Sequence, residues 1–113
     1  MINQKEYYIF ILIALFPLFL GAQEPGIKQN IRGRVFDQFT QQKLAGASLV
    51  VQNDELKLGA VTDENGEFIF EAVPVGRYEI KVQYIGYATL SRKGLLLTSG
   101  QELVLELGLS EQA

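Results

Sequence analysis

The sequence predicts an all-β domain, an antiparallel β-sandwich of roughly seven strands, set behind an apolar leader. Three observations carry that expectation. Tyr78, Ile80, Val82 and Tyr84 alternate with Arg77, Glu79, Lys81 and Gln83. This period of two sets one apolar face against a core and one polar face in water. Similar runs flank it at spacings of about 8–12 residues, each closed by a turn. No amphipathic stretch of useful helical length interrupts them.

The elements follow in order. Residues 7–20 read YYIFILIALFPLFL, 14 positions without a charge. Lys5 precedes them, Gly21-Ala22 follows, and polar Gln23-Glu24 comes next. That order is a secretory signal peptide, with the cut expected between Ala22 and Gln23. A spanning helix needs about 20 apolar residues, more than this run supplies. Leu20 stands where a small residue is preferred, so an uncleaved membrane anchor is the rival reading. The organisation is then 1–22 signal peptide, 23–30 flexible lead-in, 31–109 sandwich and 110–113 tail.

Residues 31–37 make the first strand, with Ile31, Gly33 and Val35 on one face and Arg32 and Arg34 on the other. Residues 47–52 make the second and 58–62 the third. Asp63-Glu64-Asn65-Gly66 is the clearest turn, read as a tight hairpin in which Asn-Gly supplies the positive-φ positions. Residues 67–72 follow, with Phe68 and Phe70 on one face. Val73-Pro74-Val75-Gly76 turns the chain into the strand 77–84. Ile85-Gly86 bends it into 87–92, and 102–109 closes the domain. Gly33, Asp63, Asn65, Gly66, Pro74, Gly76 and Gly86 are the structural and turn positions. The expected core is Val35, Leu49, Val51, Val61, Phe68, Phe70, Tyr78, Ile80, Val82, Leu105 and Leu107.

The 113-residue chain contains no His and no Cys. That removes disulfides, thiolate nucleophiles and zinc–sulfur sites. It also removes the commonest general base and every Ser-His-Asp or Cys-His arrangement. Carboxylates remain, but no pair is nominated, so the reading is a non-enzyme with no cofactor. The net charge of −3 and the scattered basic residues exclude a nucleic-acid footprint. Asp63, Glu64 and Asn65 suggest calcium, yet a calcium site needs six or more oxygen ligands and the loop is too short. Tyr84, Tyr87 and Phe36 could form a platform for sugar stacking, but tyrosines in a strand more often fill the core with the hydroxyl at its edge. Arg32, Arg34 and Arg77 could form an anion patch or simply a solvated strand face.

Five strings, in order, resemble a known family: Gly33-Arg34-Val35-Phe36-Asp37, Leu44-Ala45-Gly46-Ala47, residues 62–68 (TDENGEF), residues 73–78 (VPVGRY) and Tyr84-Ile85-Gly86-Tyr87. Together they resemble the carboxypeptidase regulatory-like domain, a prealbumin-like β-sandwich, over about residues 31–109. The resemblance is closest to copies at the N-terminus of TonB-dependent outer-membrane receptors of the SusC type. Lys43 departs from it, since members often carry Pro there. The resemblance implies an exported, periplasmic accessory domain without catalytic residues. Its partners would be a receptor plug and barrel or another periplasmic protein. A membrane would be met only through an uncleaved leader or an attached barrel. The alternatives are a module that binds carbohydrate or another ligand, and a purely structural module.

Overall fold

The computed structural model describes residues 26–112. The expected leader and its cut between Ala22 and Gln23 lie outside the described residues. Seven strands form two sheets: β1 (Lys28–Asp37), β2 (Ser48–Gln52), β3 (Lys57–Val61), β4 (Glu67–Pro74), β5 (Gly76–Gln83), β6 (Leu90–Leu97) and β7 (Leu103–Leu109). One sheet has the order β4-β1-β7 and the other β3-β2-β5-β6. The all-β sandwich expected from the alternation is therefore the fold.

One pairing departs from the expected antiparallel pattern. β7 returns beside β1 and runs parallel to it, Ile31 opposite Leu103 through Asp37 opposite Leu109. The last strand thus closes against the first, and β1 becomes the centre of its sheet. β1 also begins at Lys28, inside the segment expected to be a flexible lead-in. At the other terminus, Gln112 N–H donates to Gly86 O at 2.9 Å and Ala88 N–H to Ser110 O at 2.8 Å, so the tail is tied to the β5–β6 loop.

The core lies between the sheets. Val35, Leu49, Val51, Phe68, Phe70, Tyr78, Ile80, Val82, Leu105 and Leu107 are all buried as expected, joined by Ile31, Leu44, Ala47, Val73, Leu97 and Leu109. Each of the larger side chains, Ala47 aside, contributes roughly 1.5–3 kcal/mol through burial. Val61 is the exception, 64% exposed. In β3, Leu58 and Ala60 take the half-buried positions. The two-residue period then sends Val61 outward.

Two turns also differ from expectation. The Asp63–Gly66 turn joins β3 to β4, which belong to different sheets, so it is no hairpin. The buried Thr62 diverts the chain. Its hydroxyl donates to Leu44 O at 2.7 Å and accepts from Ala47 N–H at 2.8 Å. Beyond it, Gly66 O accepts from Val35 N–H at 2.7 Å, which fastens the turn to β1 of the opposite sheet. Gly66 alone takes a positive φ, 73°; Asn65 does not. β6 was expected to end at Arg92, before Lys93-Gly94. Instead Gly94, with φ 70°, is accommodated within the strand, and Leu95 to Leu97 continue the pairing opposite Tyr78 to Gly76. The register slips between these segments, the signature of a bulge in which glycine takes the left-handed position. Tyr87 and Ala88 lie outside the strand, and Tyr87 bridges Glu111.

Gly33 is a mid-strand residue rather than a turn. A Cβ there would collide with the Leu105 carbonyl oxygen, so only glycine lets β7 lie this close. Pro74 ends β4 and Gly76 opens β5, leaving Val75 alone as the connection where a four-residue turn was expected. Gly86 does sit in a turn.

Candidate functional site

The strand registers place four segments at one end of the sandwich. Ser48 lies opposite both Val61 and Gln83, and Asp37 opposite Leu109. The β1–β2, β3–β4 and β5–β6 loops therefore gather there with residues 110–112.

Asp37 organises this end. It is buried at 4% exposure, at the last position of β1. One carboxylate oxygen accepts from Phe39 N–H at 2.8 Å and Thr40 N–H at 2.9 Å, while the other accepts from the Tyr87 hydroxyl at 2.8 Å. A carboxylate so supplied with donors is stabilised in its charged form. The Thr40 amide first, then the Tyr87 hydroxyl and the Phe39 amide, hold the Asp37 carboxyl below its ordinary range. The same bond, with burial and nearby charge, pushes Tyr87 up to about 12. The pair ties the β1–β2 loop to the β5–β6 loop across the two sheets. Sequence reasoning named Tyr87 only as an aromatic. The signal for Asp37 was present, since Asp before Gln-Phe-Thr is a side-chain-capped turn; a partner 50 residues away carries no local signal.

The Tyr84–Tyr87 turn is held by Tyr87 N–H donating to Tyr84 O at 3.0 Å. Gly86 takes φ 85°, as a type II turn requires at its third position. The two tyrosine rings meet edge to face, 5.4 Å between centroids. Phe36 does not join them. It lies on the outer face of the three-stranded sheet, with the Arg34 guanidinium 5.0 Å over its ring. The expected three-ring platform is therefore two tyrosines beside Ile85, which is 91% exposed.

Asp63 also has a local role. Its carboxylate accepts from Asn65 N–H and Glu67 N–H, both at 2.9 Å. Among the described residues, no group of three or more Asp or Glu side chains is placed to share a metal ion.

The outer face of the three-stranded sheet is built in rows. Arg32 lies between Ile69 and Val104, and Arg34 between Glu67 and Glu106. Arg32 pairs with Glu102 at 3.4 Å, and Arg34 pairs with Glu106. Ile69, Val104 and the displaced Val61 remain exposed and line one open depression with these charges. Arg77, expected as part of a basic patch, lies on the other sheet in β5. A second depression, at the loop end of the four-stranded sheet, is lined by Gly46, Ser48, Gln83, Tyr84, Ile85, Tyr87 and Thr89.

The family model of the carboxypeptidase regulatory-like domain matches residues 30–110. No curated protein matches the chain. Among solved structures, a Bacteroides uniformis protein named for carbohydrate binding is 16% identical, with a TM-score of 0.62 over 74% of this chain and 42% of that one. The major pilin subunit of Bacillus cereus is 18% identical, with a TM-score of 0.58 over 78% and 31%. The 3-chlorocatechol 1,2-dioxygenase of Rhodococcus opacus is 17% identical, with a TM-score of 0.62 over 79% and 62%. The chain spans less than two thirds of each. At these identities the likeness is one of fold, and one fold carries unrelated functions.

Proposed function

Because the chain belongs to the carboxypeptidase regulatory-like domain family, we propose that it is an exported, non-catalytic interaction domain, an accessory of a TonB-dependent outer-membrane receptor that contributes to nutrient uptake through protein contacts. The observation that carries this reading is the outer face of the β4-β1-β7 sheet. There Ile69 and Val104 expose apolar surface among Arg32, Arg34, Glu67 and Glu106, and Val61, at the end of β3 in the other sheet, lines the same depression. Exposed apolar side chains interleaved with charges of both signs make a mixed surface of the kind on which a protein partner docks. Charges of both signs fit a partner presenting both signs, and they select orientation more than they add affinity. The periplasmic location, the receptor and the plug as partner rest on the resemblance in the sequence strings.

The test is made in a full-length receptor parent. Deleting residues 31–109 should leave barrel assembly intact and impair uptake or its regulation. The double substitution Ile69→Glu and Val104→Glu should reproduce that defect with an unchanged melt, because both side chains are already partly exposed. Normal uptake in both variants would overturn the reading in favour of a purely structural module.

A further inference from the structure

We propose that the depression at the loop end of the four-stranded sheet is a binding site for a neutral saccharide, held by Tyr84 and Tyr87 with Ser48, Gln83 and Thr89. This inference is independent of the docking face on the other sheet and survives its failure.

The chemistry of the lining carries the inference. Charged residues are 20% of this chain. Two other depressions hold several each: Arg32, Arg34, Asp63, Glu67 and Glu106 line one, and Asp54, Arg77, Glu79 and Lys93 another. The Tyr84–Tyr87 depression has no charged side chain in its lining. What it has instead is two hydroxyls, one amide, two phenol rings and the exposed Ile85. Hydroxyl and amide side chains both donate and accept, which matches a ligand whose own groups are hydroxyls. Aromatic rings supply apolar area with a polar edge, which matches the C–H faces of a pyranose. An anionic ligand would be desolvated here without a counter-charge and beside the Asp37 and Glu111 carboxylates that accept from the Tyr87 hydroxyl, at a cost that a neutral polyol does not meet. A volume of about 440 Å³ falls within the range of small-molecule sites, about 300–1,000 Å³.

The site is also held in place before any ligand arrives. Ser48 and Gln83 are directly opposed across β2 and β5. Tyr87 is fixed by its hydroxyl on Asp37 and by its ring edge on Tyr84. The turn between them is closed by its own backbone bond and clamped by Gln112 N–H on Gly86 O. Side chains already ordered lose less freedom on binding, which matters most for a weak, shallow site.

The experiment is a heteronuclear NMR titration of the chain with maltohexaose, cellohexaose, mannohexaose and, as the anionic contrast, hexagalacturonate. At least one neutral oligosaccharide should give saturable shifts confined to residues 46–48 and 83–89, with Kd in the millimolar range, about 1 mM. Tyr84→Ala should weaken it about tenfold. Because Tyr84 is partly packed on the core, Ser48→Asp provides the second variant: this exposed position tolerates the change and brings a charge into the site. It should weaken binding with an unchanged melt. No shifts at these residues with any neutral probe at about 10 mM would overturn the proposal. So would tighter binding of hexagalacturonate, shifts confined to the Arg32–Arg34 face, or binding indifferent to Ser48→Asp.

Discussion

The outer face of the β4-β1-β7 sheet and the loop end of the β3-β2-β5-β6 sheet arise from the same alternating grammar, yet they present opposite chemistry. On the first, outward positions carry Arg32, Arg34, Glu67, Glu102 and Glu106, arranged as neighbouring opposite charges around Ile69 and Val104. On the second, the strands give way to a glycine turn, the side chains lining the depression are neutral, and the Asp37 carboxylate beside them is occupied by Tyr87. The difference shows what sets each surface. A strand face is fixed by register: the same alignment that sets Arg34 opposite Glu106 sets Arg32 opposite Val104 and within reach of Glu102 on the diagonal. A loop end has no register and must be held by specific bonds. Asp37, Thr62 and the Gly66 turn provide them here.

The strongest way to break the comparison is at Gly66, because that turn connects the two sheets. Gly66→Val forces a β-branched residue to φ 73° and places a Cβ 2.6 Å from the Val35 carbonyl oxygen. The expected loss is about 1–3 kcal/mol from backbone strain alone, with the displacement of β1 added to it. Chemical denaturation measures it. An unchanged midpoint would mean that β1 moves freely and that the turn does not fasten the sheets.

Tyr87→Phe separates the loop end from the charged face with a smaller effect. The variant keeps the ring on Tyr84 and removes the hydroxyl from Asp37. The native pKa of Asp37 lies below its ordinary 3.8, so its contribution is present above about pH 4 and lost as pH falls through the lowered native value. Tyr87 is raised from 10.0 to about 12, so its contribution is present below pH 10 and lost as pH rises toward 12. The variant should reduce the alkaline loss, leaving the part that the buried Tyr78, also raised by desolvation, still supplies, and weaken the acid one, since the Phe39 and Thr40 amides still bind Asp37. Melts from pH 2 to pH 12 read both limbs. Identical profiles for variant and parent would show that the bond between the loops carries no stability.

These two sites also show how much was legible in the sequence. The alternation in residues 77–84 located β5 and its buried side, and the same rule found ten of the sixteen buried apolar positions. It failed at Val61 because the expected parity was taken without Leu58 and Ala60 as the inward pair. It shortened β6 because Gly94 reads locally as a stop, whereas the sheet absorbs it as a bulge. The turn at Gly66 was legible as a turn, but not as a crossing between sheets. Which strand accepts Gly66 depends on Val35, 31 positions earlier. For the candidate surfaces, Tyr84 and Tyr87 were recognisable as a pair. The separation of Phe36 from them was not, because it depends on which sheet each strand joins. The parallel β1–β7 closure was equally invisible to local pattern.

The smallest expected effect is at the charged face. Arg34→Ala removes an exposed pair with Glu106 and a contact with the Phe36 ring. Exposed ion pairs contribute about 0–1 kcal/mol, so the melt should move little and less still at high salt. A large loss would mean that this face stabilises the fold rather than remaining free for a partner.

The most direct measurement of the central claim compares the two surfaces in one assay. A photo-crosslinking amino acid is placed at Val104 in one variant and at Gln83 in another, each expressed in intact cells. Both positions are solvent-accessible, one on each surface. The account predicts that Val104 captures a receptor plug or another periplasmic protein, identified by mass spectrometry, and that Gln83 captures none. Protein captured at Gln83, with nothing at Val104, would contradict it.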